Sequence, residues 1–158
     1  MKNKTITTIL FILTLTASIH GYEASFDPPT GWRNADSDKL PPHVKLIVVG
    51  SGGHDLPPSI SLGTEKFDGT LKDYLAIVKK INESKGDQWK DLGNVETKSG
   101  PASLSQVDIK TEWGVVREMH LISLSNGMIY IMTAAALKKE FATFYPVFFK
   151  AMRSFKVE

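Results

Sequence analysis

Histidines, loop aspartates and a glycine–serine tract are the residues of this sequence whose types could do chemistry. His43 and His54 stand near Asp36, Asp38 and Asp55, a mixture that could hold a metal or pass protons between imidazole and carboxylate. The spacing argues otherwise. Neither His-x-His nor His-Glu-x-x-His occurs, so no metal motif places two imidazoles on one ion. His20 lies in the N-terminal apolar segment, and His120, between Met119 and Leu121, reads as a satisfied structural histidine within a strand. Gly50-Ser51-Gly52-Gly53 has the composition of a phosphate cradle, but a P-loop needs Gly-Lys-Ser/Thr opening a helix. His54-Asp55-Leu56-Pro57-Pro58 follows instead. Ser51 lacks a Gly-x-Ser-x-Gly elbow, and no spacing of Ser, His and Asp nominates a triad. Recognition remains. Trp32 follows a Pro/Gly turn, and Trp89 sits in a Gly86–Gly93 loop among Asp87, Gln88, Lys90 and Asp91. An exposed tryptophan commonly anchors an interface. Trp32, His43, His54, Asp55 and Trp89 are therefore the candidate binding residues, with no catalytic residue, metal ligand or cofactor expected.

Composition narrows the classes further. The chain has 158 residues, 42% hydrophobic and 23% charged, which is ordinary for one globular domain. It contains no cysteine, which excludes a disulfide framework, a thiolate zinc site and a cysteine nucleophile.

Residues 1–21 read as a signal peptide. Lys2 and Lys4 precede the uncharged stretch Ile6 to Leu15, and Ala17, Ser18 and Gly21 offer small residues for cleavage. The cut expected after Gly21 leaves a single domain, residues 22–158, exported to the periplasm or secreted, with no transmembrane anchor; the alternative is that the segment stays uncleaved as an N-terminal anchor. Removing Lys2 and Lys4 but no acid balances the 19 basic and 17 acidic residues, so no general pull on nucleic acid is expected.

The elements that must position any site follow from periodicity. Val44–Val49 is a β-branched strand, and Ser59–Gly63 an alternating one. Thr70 caps a helix whose Leu71, Tyr74, Leu75, Val78 and Ile81 share a face, closed by Ser84-Lys85-Gly86. That stripe makes Tyr74 a core residue. Residues 91–134 alternate as strands, with a bend at Trp113-Gly114 and a tight hairpin turn at Asn126-Gly127, both of which tolerate positive φ. Leu137 to Ser154 is an aromatic helix in which Pro146 should cause a kink or a restart. The order β-β-β-α-β-β-β-β-α gives an α+β fold, an antiparallel sheet packed by helices.

Three segments of this pattern resemble the PsbP-like family, which shares an α/β/α sandwich with the Ran-binding Mog proteins. They are Phe26-Asp27-Pro28-Pro29-Thr30-Gly31-Trp32, Leu71-Lys72-Asp73-Tyr74-Leu75, and Gly127–Thr133 together with Phe144–Phe149 and Met152–Lys156. The resemblance implies a non-catalytic accessory, assembly or chaperone-like protein that presents a sheet edge and loops to an envelope or host protein. It carries over no catalytic residue. The alternatives are a small hydrolase built on His43, His54 and nearby acids or serines, and a carrier of an apolar ligand beneath the Phe-rich helix.

Overall fold

The computed structural model describes residues 24–52 and 56–158. Seven strands form one antiparallel sheet: β2 (Arg33–Asn34), β3 (Val44–Val49), β4 (Ser59–Lys66), β5 (Gln88–Thr97), β6 (Gly100–Thr111), β7 (Gly114–Ser125) and β8 (Met128–Leu137). Their spatial order is β2-β3-β4-β8-β7-β6-β5. Helix α1 (Leu71–Lys85) carries the chain from β4, in mid-sheet, to the far edge at β5, and three hairpins bring it back. Helix α2 (Lys138–Arg153) follows β8. The short strands β1 (Ala24–Ser25) and β9 (Lys156–Val157) pair separately, joining the two ends of the described chain.

Each helix covers one face of the sheet. Phe141, Phe148, Ala151 and Met152 of α2 pack on Leu62, Leu104, Met119, Leu121 and Met132, while Leu71, Tyr74, Leu75 and Val78 of α1 pack on Ile122, Ile129 and Ile131. Ile122 and Leu121 are neighbours in β7, yet they belong to opposite clusters, because successive strand residues face opposite ways. The expected α/β/α layering is what these two apolar stripes build.

Local signals account for the turns. Asn126 (φ 50°) and Gly127 (φ 74°) take the left-handed conformations of a two-residue hairpin that registers Ser125 opposite Met128. Thr70 caps α1: its Oγ1 accepts from the Asp73 amide at 3.2 Å, and the Asp73 carboxylate accepts from the Thr70 amide at 3.1 Å. Thr70→Ala is expected to lower stability by about 1 kcal/mol, read as a lower urea midpoint at unchanged slope.

Of the kink or restart expected at Pro146, the restart does not occur: α2 runs unbroken from Lys138 to Arg153. Proline removes the amide that would reach the Ala142 carbonyl, but both residues are exposed, so that carbonyl is open to solvent.

Candidate interaction surface

Trp32 points inward. It is half-buried, lies edge-on to Phe148 with ring centroids 6.1 Å apart, and covers Gly50, where an added Cβ would stand 2.7 Å from the indole. The first glycine of the Gly50-Ser51-Gly52 tract thus makes room for a tryptophan. His43 is half-buried ahead of β3, and its carbonyl accepts from the Thr64 amide at 2.9 Å. Asp36, a possible companion, accepts from the Asp38 amide at 3.3 Å and pairs with Lys39 at 3.2 Å, capping a short 3-10 turn at Ser37–Lys39. His54 and Asp55 lie outside the described residues. Among the described residues no three His, Asp or Glu side chains gather to hold a metal ion.

Trp89 belongs to a strand, not to the loop expected from its polar neighbours. It is the second residue of β5, and its register partner Val107 places it on the α1 side of the sheet. Lys79 of α1 lies 6.0 Å from the centroid of its ring, and its Nε1 is buried without a hydrogen-bond partner. Strand β5 ends the sheet. No other strand among the described residues pairs with its outer side, which leaves main-chain groups along ten residues facing outward. The edge is partly guarded: the register shifts between Asp91 and Gly93, the Asp91 carboxylate accepts from the Gly93 amide at 2.7 Å, and Leu92 stands exposed on the bulge. Trp32, next to β2, and Trp89, on β5, therefore lie at opposite ends of the sheet and form no common surface.

A polar row crosses the face on which α1 lies. Register aligns Asp91, Ser105, His120, Thr133 and Ser61 on five successive strands, and the His120 imidazole meets Glu118 at 3.0 Å. Serine, imidazole and carboxylate thus neighbour one another, as acyl transfer would need. The serine is closed to substrate, however: Ser105 is 1% exposed and its hydroxyl has no hydrogen-bond partner. His120 is the partnered strand histidine that its sequence context suggested.

The opposite face carries a denser ionic cluster. Arg117 donates through Nε and a terminal nitrogen to the two oxygens of Asp108, at 2.7 and 2.9 Å, and Lys138 at the start of α2 meets the same carboxylate at 2.9 Å. The Arg117 fork, and then Lys138, hold the Asp108 carboxyl below its ordinary range, against the desolvation that raises it. The guanidinium lies 5.8 Å from the Phe141 ring centroid, tying the β6–β7 hairpin to α2.

These layers and their order match solved structures over most of the chain. LpqN of Mycobacterium tuberculosis, described as involved in cell envelope biogenesis, superposes with a TM-score of 0.59 at 18% identity, over 87% of each chain. Ran-binding protein Mog1p of Saccharomyces cerevisiae gives 0.56 at 16%, over 87% of this chain and 96% of its own. Cyanobacterial PsbP (CyanoP) of Synechocystis gives 0.53 at 16%, over 92% and 99%. This chain has the PsbP/Mog-like fold. No family model and no curated protein matches it in sequence.

Within the PsbP/Mog-like fold, the Asp108–Arg117–Lys138 cluster is the feature that reading for motifs missed. A signal was present. The two-residue turn Glu112-Trp113 pairs Thr111 with Gly114, and counting back along that hairpin sets Asp108 opposite Arg117. Lys138 has no such local clue, since α2 brings it in from another element.

Proposed function

We propose that this chain is an exported accessory or assembly protein that binds another protein through the β5 edge and the loops beside it. The open edge carries the reading: ten residues of strand with an exposed Leu92 can accept an added strand from a partner, main chain to main chain. The neighbours lend support, since LpqN is described by cell envelope biogenesis and Mog1p by binding Ran. The export reading rests on Lys2, Lys4 and the apolar stretch behind them. A cut after Gly21 would keep Ala24, and with it β1, in the mature chain. Among the described residues no helix is long and apolar enough to cross a membrane.

Photo-crosslinking tests the surface. A photoreactive residue at Lys90 or Asn94 of β5 is expected to give one defined adduct in the native compartment, whereas the same residue at Lys72, on exposed α1, gives none. Equal labelling from all three positions, or turnover of a small substrate by the purified chain with no adduct, would overturn the reading.

A further inference from the structure

Turn Glu112-Trp113 and the start of α2 border an open groove of about 550 Å³, lined by Trp113, Gly114, Val115, Leu137, Lys138 and Lys139. Its lining is apolar on one side, where Val115 remains 37% exposed and Trp113 is half-buried. The other side is cationic. Lys138 and Lys139 share the first turn of α2 with a single acid, Glu140, at the end of the helix where the macrodipole favours acids and disfavours lysines. Lys138 has its answer in Asp108, but among the described residues no acid pairs with Lys139. Lys110, exposed and directly opposite Val115, adds a second cation, while the carboxylate of Asp108 is already engaged by Arg117 and Lys138. Glu112 on the turn and Glu140 in the first turn of α2 offset two of these charges, so Lys110, Arg117, Lys138 and Lys139 against Asp108, Glu112 and Glu140 leave a positive excess of one. A locally unfavourable lysine beside exposed apolar surface is the kind of inconsistency that binding explains.

We propose that this groove takes an acidic peptide segment of a partner protein. A bulky apolar side chain of that segment rests against Trp113 and Val115, and its carboxylates meet Lys139 and Lys110. The openness of the groove favours a side chain presented by a peptide, because an acyl chain needs a site that buries most of its surface. The inference rests on the reading of the chain as a binding protein, but it uses a surface separate from β5, so either can fail while the other stands.

Three synthetic octapeptides test it against the full chain: Leu-Phe flanked by Glu and Asp, the same core flanked by Lys, and the acidic flanks around Gly-Ser. The first is expected to shift the amide resonances of Trp113, Gly114 and Val115 and to bind at least tenfold more tightly than the other two. Lys139→Glu is expected to weaken the acidic probe about tenfold and to improve the lysine probe, since a reversal loses one attraction and adds one repulsion. The same variant should leave the thermal midpoint unchanged or raise it, because an acid suits that helix end, which separates lost binding from lost folding. Val115→Asp should abolish the shifts. Equal binding of all three peptides overturns the proposal. So do displacement of the acidic probe by laurate at equal affinity, which marks a small amphiphile, and a dimer that Val115→Asp dissociates, which marks a second copy.

Discussion

Phe148→Ala is expected to destabilise the protein by about 3–5 kcal/mol. Phe148 is fully buried, and its ring meets Phe141 at 5.3 Å, Phe144 at 6.1 Å and Trp32 at 6.1 Å between centroids. Truncation would strip one partner from each of three aromatic contacts and leave a cavity between α2 and the sheet. The backbone could not close it readily, because Trp32 is already pressed against Gly50. Against a typical domain stability of about 5–15 kcal/mol, the loss would be a large share of the total. Urea unfolding followed by tryptophan fluorescence measures it. Phe148→Leu, which keeps most of the volume, should lose less than half as much. A cost below about 1 kcal/mol for the alanine variant would mean that α2 is not packed as described.

Asp108→Asn is expected to cost about 2 kcal/mol at neutral pH. The side chain of Asp108 is 8% exposed, and the substitution leaves Arg117, 25% exposed, facing a neutral amide. Lys138 is nearly half exposed and regains water, so the cost stays below that of breaking a fully buried pair. The sign with pH follows from the depressed carboxyl. Its stabilisation is whole above the ordinary value of 3.8 and is lost as pH falls through the lower value held in the folded chain. The wild type should therefore lose stability below about pH 4, and the gap to the asparagine variant should narrow there. A gap that stays constant from pH 7 to pH 3 would show that the carboxylate charge contributes nothing. The same variant frees Lys138 at the rim of the proposed peptide groove, so it should strengthen the acidic probe while weakening the fold.

The elements were more legible than the surfaces. The stripe of Leu71, Tyr74, Leu75 and Val78 and the Asn126-Gly127 turn each express chemistry within a few residues, and each appears where expected. Tyr74 is the core residue its spacing implied, with its hydroxyl donating to Glu65 and its ring edge-on to Phe67. Trp89 lies in a strand that has the look of a loop, for a definite reason. Edge strands carry charged residues that discourage pairing, and such a strand has the composition of a loop. Only the neighbour on one side, β6, reveals β5 as an edge.

The α+β class, the helices and the tight hairpin turn follow from local order along the chain, because periodicity, capping and turn chemistry act between residues close in sequence. Which distant groups meet depends on the packed fold. Trp32 covers Gly50, Lys138 reaches Asp108 from another element, and Trp113 shares a groove with Lys139. Such meetings depend on strand register and on how each helix lies across the sheet, which follow from packing the whole core at once.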